Sequence, residues 1–174
     1  MSNKQQSEES KFTLFGLPKK HYEYIYENAK NFEDWIDKAI KNKCYIEAIV
    51  LIHNTIELYL RGQIIEYLLK LENKDRLDDK KYKILFEIKQ KNVFEYAEIA
   101  YLFNLISKGL YDDLNNFNTN RNTAIHGFLK NKITYEEFKD YCKEGREIQL
   151  RLSPFNHSKE DIKSIMQHFE DVSK

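Results

Sequence analysis

The chain has 174 residues, 41% of them apolar and 14% aromatic, enough for one well-buried core of ordinary domain size. Its 28 Lys and Arg balance 28 Asp and Glu, which excludes an overall cationic field able to hold nucleic acid regardless of site, so any RNA contact is local. Cys44 and Cys142 lie far apart, with no second Cys or His at metal-ligand spacing; this excludes a disulfide framework and a zinc site, and two free thiols in a reducing cytoplasm are expected.

Met1 to Leu17 open with a polar Ser/Gln/Glu run that lacks the basic start and apolar core of a signal peptide. They read as a disordered tail ahead of a single helical domain over residues 18–174. Few Gly and Pro and a charge-rich, Leu/Ile/Tyr-rich composition favour long amphipathic helices, so the expected fold class is all-α, an up-and-down bundle with additional short helices. The first helix is expected from near Pro18 to about Lys43, with Tyr22, Ile25, Tyr26, Ala29, Phe32, Ile36, Ala39 and Ile40 on one face. A second, from about Tyr45 to Leu71, carries an apolar stripe broad enough to face several neighbours and is expected to be central. Its polar interruptions, among them Glu47, His53, Glu57 and Arg61, exclude a lipid-facing span, and no membrane partner is expected.

The polar run Glu72 to Lys81 reads as an exposed connection before a short amphipathic piece at Tyr82 to Ile88. Asn92 and Glu95 are spaced as a capping box opening a helix through Ser107, with Gly109 as its left-handed end. Leu110, Leu114 and Phe117 follow at helical spacing, then an Asn-rich turn over Asn115 to Asn120, then the segment Arg121 to Phe128. Thr134 with Glu137 caps a helix through about Leu152 that Pro154 closes, and Ser158 with Asp161 caps a last helix through Val172.

Arg121 to His126 is the segment that points to chemistry. In a helix Asn122 and His126 share a face, so the amide can orient the imidazole, whereas Arg121 is rotated roughly 140° from His126 and can border the same cleft without pairing with it. Two copies of such a helix about a two-fold axis would line one groove with two Arg and two His. An imidazole transfers protons near neutral pH, and a guanidinium binds two phosphate oxygens at once. His53 and Glu57, one turn apart on the second helix, are candidate supporting residues, with Glu57 placed to fix the imidazole of His126 or to steer substrate. His21, His157 and His168 read as surface residues; Tyr101, Phe103, Tyr111 and Phe117 are candidates to line the cleft.

Arg121-Asn122-Thr123-Ala124-Ile125-His126 resembles the active-site motif of the HEPN family of RNA-cleaving proteins, an arginine and a polar residue followed by a histidine. The helix from Glu47 to Arg61 resembles, more loosely, the early helix of such domains. The resemblance implies a homodimeric endoribonuclease of the toxin or defence type, with Arg121 and His126 catalytic and Asn122 supporting. It implies cleavage that needs no metal or other cofactor and leaves a 2′,3′-cyclic phosphate, and RNA and an antitoxin or nucleotidyltransferase-type protein as partners. The alternative it carries is a non-catalytic HEPN module that binds nucleotide, RNA or such a protein.

Overall fold

The computed structural model describes residues 19–72, 80, 92–130, 132–154 and 157–172, with the side chains of residues 19–28, 129, 168, 170 and 172 left outside the description. The tail 1–17, Pro18 and the short piece expected at 82–88 fall outside the described residues. Those described form an all-α fold of six helices: α1 Lys19–Lys41, α2 Tyr45–Glu72, α3 Val93–Leu102, α4 Lys108–Leu129, α5 Tyr135–Leu152 and α6 Lys159–Val172.

The second helix is central, as its broad stripe requires. It buries residues on several sides, including Ile49, Ile52, Ile56, Tyr59, Leu60 and Ile64, because it packs on α1, α3 and α5 at once. The partner with which it shares most of the core is α5, which in turn carries α4 and α6 on its outer sides. Phe117 of α4 and Phe138 of α5 are fully buried in this core. Each large apolar side chain withdrawn from water in this way contributes about 1.5–3 kcal/mol. Close approach of α4 to the α2–α5 pair depends on Gly145, where a Cβ would sit 2.6 Å from the Cζ of Phe117 and 3.0 Å from Ile52. No helix among the described residues is long and apolar enough to cross a membrane.

The helix starts follow the sequence signals closely. The amide of Glu95 donates to Asn92 Oδ1 (3.1 Å) while that of Asn92 donates to Glu95 Oε2 (2.8 Å). Thr134 and Glu137 make the same reciprocal pair, as do Ser158 and Asp161. Each box satisfies two amides that the first turn leaves without helical acceptors.

The middle of the chain departs from expectation. The third helix stops at Leu102, not Ser107, because Asn104 turns into the left-handed region (φ 55°). The amides of Asn104 and Leu105 then donate to the carbonyls of Tyr101 and Ala100 (2.9 and 2.8 Å) and close the helix. The first helix ends in the same way, with Lys43 left-handed (φ 58°) and the Cys44 amide donating to Ala39 O (2.8 Å). Ser107 begins α4, its hydroxyl oxygen accepting from the Leu110 amide (3.2 Å), so Gly109 lies inside a helix and terminates none.

The Asn-rich turn expected at 115–120 is also absent: α4 runs through it unbroken. Leu110, Leu114, Phe117 and Ala124 are buried along one face of that helix, and their packing outweighs the weak helix propensity of asparagine. Several of the polar side chains find partners as well. Thr119 Oγ1 donates to Asn115 O (2.9 Å), and Asn120 Nδ2 donates to Glu144 of α5 (3.2 Å). The Pro154 stop holds, with Ser153 as the residue that ends α5.

Candidate functional site

Continuous α4 places Arg121, Asn122 and His126 on its last two turns. Arg121 is half-buried, and its Nη1 donates to Asn122 Oδ1 (2.9 Å). Its Nε is shut away from solvent and has no acceptor. Burial holds the guanidinium below its ordinary range, with no carboxylate among the described residues acting against the shift. Among the described residues this half-buried cation has a neutral amide as its hydrogen-bond partner, an arrangement that is costly without further compensation.

The Arg121 charge reaches His53 of α2. The imidazole of His53 is held below its usual value, first by burial and then by the Arg121 charge, while polar contacts from Asn118 and Asn54 pull the other way. His53 therefore favours the neutral form beside a permanent cation. The sequence placed His53 in a supporting role; the fold brings it to the Arg121 side of α4 through Asn118, one turn before Arg121.

Two expected pairings are not formed. The Asn122 oxygen accepts from Arg121, and no bond joins Asn122 to His126. The amide follows the adjacent guanidinium because a charge-assisted hydrogen bond is stronger than one to a neutral ring. Glu57 faces Arg61, one turn further along α2 (3.5 Å), and does not fix the imidazole of His126. Burial raises the Glu57 carboxyl above its ordinary range against the opposing pull of Arg61. Arg61 also lies over the Tyr96 ring, 5.8 Å from its centroid, which ties this pair to α3. His126 itself is exposed in the last turn of α4.

The aromatic candidates disperse. Phe117 is fully buried core. Tyr101 stacks on Tyr111 (centroids 4.9 Å apart) and Phe103 on Tyr67 (5.1 Å), so both are engaged at the α3–α4 turn. Phe128 is exposed near the motif, with its ring edge-to-face on Phe138 (5.2 Å). Gly127 allows the chain after α4 to fold back, since a Cβ there would lie 2.6 Å from Ile133.

A second polar constellation, unmarked in the sequence, lies between α1, α2 and α5. Glu33 Oε1 accepts from Tyr59 Oη (2.9 Å), Gln149 Nε2 (2.9 Å) and Ser153 Oγ (3.1 Å). Arg146 is 2% exposed; its Nη2 donates to Asp37 Oδ1 (2.8 Å) and its Nη1 to Gln149 Oε1. His157 approaches Glu33 Oε2 (3.9 Å) with a side chain 19% exposed, so it is not the surface residue expected. The side chains of His21 and His168 lie outside the described residues. The only hint in the sequence was Gln149 and Arg146 set among apolar residues of an amphipathic helix, a pattern shared by many solvated faces.

Comparison with known proteins gives no matching family model, no matching curated protein and no matching solved structure.

Proposed function

We propose that the chain is an RNA-cleaving domain of the HEPN type, in which Arg121 binds the scissile phosphate and His126 transfers the proton. The observation that carries this reading is the Arg121 guanidinium, half-buried, compensated among the described residues by Asn122 alone and lacking an acceptor there at Nε. Such a group suits the two non-bridging oxygens of a phosphodiester, which accept from parallel N–H donors. His126, exposed five positions later on the same helix, suits access by a large substrate.

In the reaction the 2′-oxygen attacks phosphorus, its proton passes to an imidazole, and the 5′-oxygen leaves with a proton from an acid. The phosphorus–O5′ bond breaks as the phosphorus–O2′ bond forms, giving a 2′,3′-cyclic phosphate and a 5′-hydroxyl. With His126 as the proton-transfer imidazole that each chain contributes from α4, a second copy brought in about a two-fold axis beside that helix is the natural source of the other proton-transfer group. No metal or other cofactor enters this scheme.

A second reading, a non-catalytic module binding RNA, a nucleotide or a nucleotidyltransferase-type antitoxin, is favoured by one observation. Neither Asn122 nor Glu57 orients the His126 ring within a single chain.

The test is cleavage of structured and single-stranded RNAs by the purified protein in excess chelator, alongside His126→Ala and Arg121→Ala, with product ends identified. Cyclic-phosphate ends that fall by about 100-fold or more in both variants are expected, the scale of general acid–base catalysis. RNA bound but uncut by the wild type selects the binding module, and equal cleavage by both variants rejects the assignment of the two residues.

A further inference from the structure

We infer that the cleft between α1, α5 and α6 is a binding site for a small organic anion, a phosphate or carboxylate head carried on an apolar body. The cleft measures about 520 Å³, within the range of small-molecule sites, about 300–1,000 Å³. None of its lining residues belongs to α4, so it is separate from the Arg121–His126 segment and does not depend on that reading.

The charge of the cleft is cationic. Among the described residues, Lys38, Lys41 and Arg146 line it against one carboxylate, Asp37. Both lysines are exposed, and among the described residues no ion pair engages either. Arg146 is the built element: its side chain is 3% exposed, Gln149 takes Nη1, Asp37 takes Nη2, and Nε is buried with no acceptor. A buried guanidinium is retained where it is paired or where it serves a ligand. Its carboxylate partner among the described residues, Asp37, has a side chain 59% exposed. Buried Arg146 holds that carboxylate from the inner side and its outer side is open, so a ligand head entering the cleft can share or displace it.

The rest of the wall is apolar. Ile40, Ile165 and the buried Phe169 face the same space, and Ser164 adds a hydroxyl from α6. A bare inorganic ion would leave these carbons uncovered, whereas an amphiphilic anion covers them and presents its head to Arg146 and the two lysines. The Lys side chains at the rim can lay their methylene stems along such a body while their ammonium groups stay in water.

Isothermal titration with octyl phosphate, octanoate and inorganic phosphate tests this on the full chain. Binding of octyl phosphate or octanoate is expected, with the better of the two identifying the head group and inorganic phosphate at least about tenfold weaker. Lys38→Ala/Lys41→Ala should weaken binding by about tenfold and reduce its salt dependence. Ser164→Trp, which fills the cleft from an exposed position and spares the Arg146 network, should abolish it. Thermal melts of both variants verify folding. Absence of binding by both amphiphiles at millimolar concentration overturns the proposal. So does equal affinity in the folded variants, while inorganic phosphate binding as tightly as octyl phosphate overturns the apolar half.

Discussion

The phenol of Tyr59 donates to Glu33 Oε1 at 2.9 Å, joining a fully buried residue of the central helix to a carboxylate of α1. The same oxygen accepts from Gln149 and Ser153, so one atom ties α1 to both members of the α2–α5 pair. Burial, followed by the Glu33 charge and the hydrogen bond to it, drives the phenol far above its ordinary range; it remains a donor at any physiological pH.

Replacing Glu33 by Ala strands those donors together. Each buried donor left without an acceptor costs about 1–3 kcal/mol, and Glu33→Ala is expected to lower unfolding free energy by about 2–5 kcal/mol, part of it recovered by water entering the site. Tyr59→Phe removes a donor that has alternatives on the acceptor side and should cost only about 1 kcal/mol. Urea unfolding of both variants measures the difference; equal losses would mean that Glu33 does not organise the cluster.

Gly145 of α5 and Gly109 of α4 should respond oppositely to alanine. Gly145→Ala places a methyl against the Phe117 ring and Ile52, and overpacking of this kind costs about 1–3 kcal/mol. Gly109 has nothing within 4 Å of its added Cβ, and Gly109→Ala should stabilise by about 0.4–1 kcal/mol through the unfolded chain. Thermal melts of the two variants, read against wild type, decide it.

Stability should fall as the medium is acidified through the histidine range, and His53 should account for part of that fall. Its folded pKa lies below 6.5, so the unfolded chain binds the proton more readily. Stability therefore decreases as pH drops below 6.5 toward the folded value and levels off beneath it. Glu57 and Asp37, both raised, act in the opposite sense at lower pH, favouring the folded state as they protonate. His53→Gln isolates the histidine: the gap in unfolding midpoint between variant and wild type should change between pH 7.5 and pH 5, and a constant gap would reject the assignment.

The two thiols should separate by reactivity. Cys142 is fully buried, and burial pushes its thiol up to about 12 despite the nearby Arg146; Cys44 is exposed beyond the end of α1. A disulfide reagent at pH 8 should titrate one thiol per folded chain and the second only after denaturation. Rapid reaction of both in the native protein would contradict the packing of α5.

Most of the fold was legible one helix at a time. The broad stripe of Tyr45–Glu72 predicts a helix with several neighbours, and Asn92–Glu95, Thr134–Glu137 and Ser158–Asp161 mark three helix starts, because capping and periodicity are properties of residues within a turn of one another. Local signals misled where distant packing opposed them. The Asn-rich stretch 115–120 favours a turn, yet Leu114 is buried in the core, Phe117 packs at Gly145 of α5, and the helix continues; Gly109 resembles a stop, yet Asn104 takes the left-handed position five residues earlier. The candidate site divides along the same line. Helical spacing alone set Arg121, Asn122 and His126 on neighbouring turns of α4, but it could not say that Asn122 turns to Arg121, that Glu57 turns to Arg61, or that Arg121 reaches His53 on another helix. Glu33, Tyr59 and Gln149 are separated by 26 and 90 residues from their partners in the cluster. Contacts at such range depend on how α1, α2 and α5 settle against one another to bury their apolar faces, and only the tertiary structure decided them.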